Sequence, residues 1–292
     1  MKKQLSTYGL IVAASMTVLI GCAKDDPNAP LAADVNEDAA QSIASDVGQD
    51  NGGALDQLAD VAEIASPSGL SVASDALKGS SFNTVGIDTS YDQSTGTWTL
   101  TLNRERGTQG GAYYASITRV YTYQFLNAGG QPQKYWRVVT PSGIDTAASM
   151  TFTIVSGTGE HHTPNVSQKL TNIAGSWTVT GLNTPTITIN GTYTRSAVDT
   201  VTTRNAVRTF DHTIALSFNN IQGPRGNRAQ WSQLATGSIT GTYTAAITFI
   251  RGSLYGDKNI SRDFTLTLGS GNGNISIGGK AFVAMLFNGI LK

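Results

Sequence analysis

Cysteine is almost missing from this sequence: Cys22 stands alone among 292 residues. One thiol cannot close an internal disulfide, and it cannot supply a zinc site or a redox pair built on cysteine. Histidine is scarce as well, with only His161, His162 and His212. No two of them stand three or four residues apart, the spacing that brings two imidazoles to one metal on a helix face. Glu160, His161 and His162, between Gly159 and Thr163-Pro164, read as an exposed polar loop, and His212 as a core or strand-end histidine beside Ile214. Charge is thin: Asp, Glu, Lys and Arg make up 14% of the chain, against about 25% in ordinary domains. From Ser81 onward there are only two glutamates, Glu105 and Glu160, and seven aspartates. No pair of carboxylates stands out for glycosidase chemistry. There is no Asp-x-Asp-x-Asp-Gly calcium loop, no Gly-x-Ser-x-Gly nucleophile elbow and no glycine stretch that follows a strand and opens a helix. No catalytic residue, metal site or cofactor is therefore expected. No apolar run approaches the ~20 residues that a membrane-crossing helix needs.

The longest early apolar run is Leu10 to Ile20. Lys2 and Lys3 precede it, and the small Gly21 follows, which gives the three parts of a secretory signal. Leu19-Ile20-Gly21-Cys22 closes the run and resembles the lipobox of bacterial lipoproteins. The resemblance implies that residues 1–21 are a signal peptide and that Cys22 carries acyl chains. Acyl chains anchor a protein through about 0.8 kcal/mol per buried methylene. Lys24, Asp25 and Asp26 follow at once and resemble the surface-export signal of Bacteroidetes lipoproteins. That resemblance implies an outer-membrane location, on the cell surface rather than the periplasmic face. Beyond residue 26 the chain is similar, in texture only, to the all-β surface lipoproteins of Gram-negative bacteria.

The charge is unevenly spread. Between Ala23 and Ser80 eleven acids face two lysines, and from Ser81 onward sixteen Lys and Arg face nine Asp and Glu. The expected arrangement over residues 22–80 is an acidic, disordered tether acting as a soluble spacer. The sharper alternative is an arm that folds back on a basic body. Within the arm, Val35, Ala39, Ile43 and Val47 recur at four, and Leu55, Leu58, Val61 and Ala65 at three to four. Each run predicts one short amphipathic helix. Helices this short are marginal alone in water, so they form only on docking, for instance over a sheet edge or an open end.

From Phe82 the texture changes to Thr, Ser, Gly and aromatics alternating at period two, as in Thr97-Trp98-Thr99-Leu100-Thr101-Leu102 and Phe264-Thr265-Leu266-Thr267-Leu268. One wet and one dry face is the pattern of an antiparallel sheet. Residues 81–292 are expected to be one all-β domain of about ten to fourteen strands, a sandwich or an open or partly closed barrel. Gly-hydroxyl-aromatic-Thr recurs at Gly96, Gly175, Gly191 and Gly241 without a fixed period, with the glycine read as ending a turn. Ala281 to Phe287 reads as a strand buried on both sides.

Arg204, Arg208, Arg225 and Arg228 with Trp231 form the densest basic segment, and Tyr135 and Trp136 belong to an aromatic-rich one. Arg225, Arg228, Trp231, Tyr135 and Trp136 are the candidate ligand contacts, because guanidinium and aromatic groups stack on sugars and headgroups. Nucleic acid is not expected as a partner of an exported protein. The expected function is that of a non-catalytic binding or structural module of the cell envelope. It is held to the membrane by acyl chains and contacts a glycan or another envelope protein. The alternatives are a carrier of lipid or another apolar molecule in a β-groove, and a hydrolase whose site is not recognisable.

Overall fold

A computed structural model describes residues 35–66, 83–111, 113–164, 166–202 and 204–292. Cys22, Lys24, Asp25 and Asp26 lie outside the described residues. In chain order the elements begin with α1 (Val35–Val47), a 3-10 turn (Gln49–Asn51) and α2 (Ala54–Ile64). The strands β1 (Asn83–Asp92), β2 (Thr97–Gly107), β3 (Tyr114–Leu126), β4 (Pro132–Gln133), β5 (Arg137–Thr140), β6 (Gly143–Thr146), β7 (Ser149–His162), β8 (Val166–Thr180), β9 (Thr186–Thr202) and β10 (Val207–Pro224) follow. After a 3-10 turn (Arg228–Gln230) and the single-turn helix α3 (Trp231–Leu234) come β11 (Thr236–Arg251), β12 (Leu254–Gly269), β13 (Asn272–Ile277), β14 (Lys280–Met285) and β15 (Ile290–Leu291).

The all-β expectation holds. One large sheet runs in the order β1-β2-β3-β7-β8-β9-β10-β11-β12-β13-β14-β15, with β4 on β3, while β5 and β6 form a separate hairpin. Each successive pair along this path is antiparallel, and no pairing joins β1 to β15 among the described residues. The architecture is thus one open sheet. Period-two alternation sends one set of side chains inward. Tyr121, Phe152, Trp177 and Tyr193, from four neighbouring strands, lie with ring centroids 4.8, 5.5 and 6.1 Å apart in sequence. The opposite face is hydroxyl-rich. Ser90, Thr99, Thr122, Thr153, Ser176, Thr192, Ser217, Thr240, Thr265 and Ser276 stand side by side across ten strands. None of the ten is buried.

The helices pack on the inner side of this sheet, with α1 against the edge strands β13 to β15. Helix α2 lies at its centre, so the described helices of residues 35–66 pack together with the sheet. Every residue of α2 is buried, and Leu55, Leu58 and Val61 are fully enclosed. Asp60 of α2 meets both Arg104 of β2 and Arg228, just past β10. In a flat sheet β2 and β10 would lie about 24 Å apart, at ~4.8 Å per strand step. Contact with one carboxylate therefore requires the sheet to curl around the helix. At the other end α1 and its following turn latch the C-terminal strands: Gln49 N–H donates to the Leu286 carbonyl (3.0 Å), and Gln41 Nε2 to that of Gly289 (2.9 Å).

Two local expectations change. The recurrent glycines 175, 191 and 241 lie inside strands, and only Gly96 belongs to a turn. A Cβ on Gly191 would come within 2.9 Å of the Trp177 ring, and one on Gly241 within 2.9 Å of Phe264. These glycines give neighbouring rings room to lie flat. The C-terminal apolar run is half wet. Ala284 and Leu286 are buried, whereas Val283 and Phe287 are exposed, because β14 is next to last in a sheet that is covered on one face only.

Candidate functional site

The polar side of α2 decides what the interior looks like. Asp56 and Asp60 are four residues apart and so share a helix face. That face would ordinarily meet water. Here it meets Arg104, with Nη1–Oδ2 at 3.3 Å to Asp56 and Nη2–Oδ1 at 2.5 Å to Asp60. Arg228 pairs with both carboxylates from the other side. Tyr121 donates its hydroxyl to Asp60 Oδ2 at 2.9 Å. Burial pushes the Asp60 carboxyl up, but Arg104 and Arg228 outweigh it and hold it below the ordinary carboxylate value. The Gly52 carbonyl, just before α2, accepts from two more buried guanidiniums, Arg119 (3.1 Å) and Arg195 (3.2 Å). The described part of the acidic arm, residues 35–66, therefore folds back on the basic body, and the spacer reading gives way there. Asp38, Asp46, Asp50, Asp56 and Asp60 all pair with arginines of the sheet or of the segment after β10.

Beside this network a cavity of about 560 Å³ opens between α1, the far ends of β7 to β10 and the turn before β15. Val166, Val201, Phe210 and Ile290 form apolar parts of its wall. Arg208 lies at its edge, paired with Asp38 at 2.8 Å. Polar groups line its inner end: Gln168 and Asp199, with His212 and Asp46 behind them. His212 Nε2 lies 2.7 Å from Asp46 Oδ2, and Nδ1 lies 3.8 Å from Asp199 Oδ2. Asp46 also meets Arg195 Nε at 2.9 Å, and Arg195 Nη2 donates to Gln168 Oε1 at 2.8 Å. Burial drives the imidazole towards neutrality, but Asp46 and then Asp199 outweigh it and lift His212 to about 9. Burial pushes Asp199 up to about 6 against the pull of His212. At neutral pH His212 is thus an imidazolium held between two carboxylates. It already carries its proton, so it is not poised as a general base.

This arrangement sets a pH dependence. A histidine raised in the folded state stabilises fully below its ordinary value of 6.5, and that stability is lost as pH rises through 9. Urea unfolding at pH 6.5 and pH 9 is expected to differ by up to about 3 kcal/mol. The difference should shrink sharply in His212→Gln, and an unchanged slope in that variant would assign the titration elsewhere. Asp199 acts with the opposite chemistry between 3.8 and about 6, below this window.

Of the expected ligand contacts, Arg225 and Trp136 are brought together, while Arg228 and Trp231 are turned inward. Arg228 and Trp231 are 2% and 0% exposed. One guanidinium is spent on Asp56 and Asp60, and the indole donates Nε1–H to the Pro224 carbonyl at 2.9 Å. Neither presents itself to an outside molecule. Trp136 is also buried, its Nε1 donating to the Leu182 carbonyl at 2.9 Å. The guanidiniums of Arg137 and Arg225 lie 4.5 and 5.0 Å from its ring centroid. Tyr135 is exposed, next to Trp98 and under the Lys134 ammonium at 5.3 Å. Glu160, His161 and His162 end β7 rather than forming a loop. Gly157 is needed there because a Cβ would strike Ile173 at 2.6 Å and the Arg119 side chain at 2.9 Å. Among the described residues no group of three His, Cys, Asp or Glu is placed to hold a metal. His212 is buried, as its sequence neighbours implied. Asp46, Arg195, Asp199 and Arg208 were not foreseen as site residues. Comparison with known proteins finds no matching family model, no matching curated protein and no matching solved structure.

Proposed function

We propose that this protein is an exported, lipid-anchored binding protein of the outer membrane that captures a small ligand in the cleft between α1 and β7–β10 and does no chemistry on it. The cleft is the observation that carries the reading. Its volume of about 560 Å³ falls within the 300–1,000 Å³ range of small-molecule sites, and apolar walls around a few convergent polar groups are their usual make-up. The carrier alternative needs an open apolar groove along the inner face of the sheet. That face is filled by α1 and α2, which favours a discrete end cleft over a groove for acyl chains. The lipobox-like Leu19-Ile20-Gly21-Cys22 and the Lys24-Asp25-Asp26 that follows support anchoring through Cys22 and display on the cell surface, where a glycan or another envelope protein would be within reach.

One experiment tests anchoring and placement together. Cells fed labelled palmitate are treated intact with protease. The native protein is expected to carry label and to be digested, and Cys22→Ser to carry none, because no other thiol exists. Label retained by Cys22→Ser would sink the anchor. A labelled protein that resists digestion until the outer membrane is opened would move it to the periplasmic face.

A further inference from the structure

The end of the sheet away from the cleft carries a different surface. Strand β7 runs from Ser149, beside the β5–β6 hairpin, to His161, which lines the cleft. The hairpin stands off the main sheet as a sheet of its own. Directly paired residues share a face, and so do residues two apart along a strand. Arg137 with Thr146 and Val139 with Ile144 therefore make one face, and Val138 with Asp145 belong to the other. Val139 is 85% exposed and Ile144 65%. No other large apolar side chain among the described residues is as exposed as Val139. The base of the hairpin is basic and aromatic. Arg137 and Arg225 both lie over the Trp136 ring, and the Lys134 ammonium sits 5.0 Å from the ring centre of Tyr91 and 5.3 Å from that of Tyr135. Among the described residues no carboxylate pairs with Lys134, Arg137 or Arg225. Burial, and then the charge of Arg137, pull Arg225 below its ordinary value, as like charges held together without a counter-charge should.

We infer that this end of the protein docks on an anionic lipid bilayer. Val139 and Ile144 enter the acyl boundary, and Lys134, Arg137 and Arg225 stand at the level of the headgroup phosphates. Tyr135, 47% exposed, lies between them. An apolar tip below a belt of aromatic and basic side chains matches the layering of a membrane interface. Charge argues for lipid over a second copy of the chain. A two-fold contact brings the same patch of both copies together, and here it would set cations against cations. Docked this way, the protein turns its cleft away from the bilayer. The contact adds to an acyl anchor, and it holds or fails independently of any ligand in the cleft.

The test uses the chain from Ala23 onward, which keeps every described residue and lacks the anchoring cysteine. It is sedimented with vesicles of phosphatidylcholine alone and of an equal mixture with phosphatidylglycerol. The mixed vesicles are expected to bind it more tightly by at least about ten-fold, since each Lys or Arg near an anionic surface contributes about five-fold. Val139→Ser with Ile144→Ser should weaken that binding about ten- to a hundred-fold, at about four-fold per buried methylene. Lys134→Gln with Arg137→Gln should weaken it about ten- to thirty-fold and leave binding to phosphatidylcholine alone unchanged. All four side chains are exposed, so the melting transition should not move in either variant. The comparison of the two vesicles on the native chain stands as a test by itself if a variant does not fold. No binding to either vesicle, equal binding to both, or full binding by Val139→Ser with Ile144→Ser overturns the inference. A dimer of the native chain that is lost in that variant also overturns it, and assigns the face to a second copy.

Discussion

A chain that begins at residue 83 is expected not to fold. It keeps every strand of the sheet but loses α1 and α2, and with them Ile43, Val47, Leu55, Leu58, Val61 and Ile64, each at most 1% exposed. Full burial of an aliphatic side chain stabilises by about 1.5–3 kcal/mol. Six of them amount to roughly 9–18 kcal/mol, an upper estimate because unfolded chains are partly compact, against a whole-domain stability of about 5–15 kcal/mol. The loss is compounded by charge. Arg104, Arg195, Arg228 and His212 would keep their inward places and lose the carboxylates that balance them. The shortened protein should aggregate, or bind a hydrophobic dye without a cooperative melting transition. Supplying residues 35–66 as a second chain during refolding should recover part of that transition. A monomeric, cooperatively melting fragment 83–292 would show that the helices are an accessory and that the sheet has a core of its own.

The next largest effect is expected from Asp60→Ala. Asp60 is fully buried and holds Arg104, Arg228 and the Tyr121 hydroxyl. Removing one partner from a buried ionic network leaves uncompensated charge and costs about 3–5 kcal/mol. For a chain of this size that corresponds to a melting temperature lower by roughly 6–20 °C. A drop below about 1 kcal/mol would mean that water enters and solvates the two guanidiniums, and that the interior is not dry. The same residue sets the acid limit. Its carboxyl is held below its ordinary value of 3.8, so its stabilisation is present above that pH. It is lost as pH falls through the folded-state value. Asp60→Ala should therefore flatten the acid side of the stability curve while lowering its plateau.

How much of this was legible in the sequence depends on which signal a residue carried. The antiparallel sheet was readable because Thr-apolar alternation has a single period and a wet face gives it phase. The two helices were readable from Val35, Ala39, Ile43 and Val47 and from Leu55, Leu58 and Val61. Their position was not, because periodicity reports which face is dry and not what covers it. Asp56, Gln57, Asp60 and Glu63 resemble a solvated helix face, and only the inward arginines make it an interior one. A trace of this was present in the charge asymmetry between arm and body, which the simpler spacer reading set aside. A second trace lies in phase. Arg104 continues the inward series of Trp98, Leu100 and Leu102. Arg195 and Asp199 alternate with Tyr193, Ala197 and Val201, and His212 sits between Phe210 and Ile214. A charged residue on the dry beat of a strand implies a buried partner elsewhere, but the sequence does not say where that partner lies. Arg228 and Trp231 misled for the opposite reason: a cluster of Arg with an aromatic looks the same whether it is turned outward or holds a helix in place.

The enclosed helix also bears on timing. The strands pair almost wholly with their sequence neighbours, so each hairpin can form as soon as its second strand exists. The interior cannot. Asp60 is 44 residues from Arg104 but 168 from Arg228, His212 is 166 residues from Asp46, and Gln41 waits for a backbone group 250 residues further on. Closing such distances is slow relative to local pairing. The segment synthesised first is the last to be satisfied. Until β10 and the turn carrying Arg228 have emerged, α2 has Arg104 alone to set against Asp56 and Asp60, and part of its apolar surface has no cover. A protein threaded across a membrane from its N-terminus would gain from that order, because its core cannot set before most of the chain has passed.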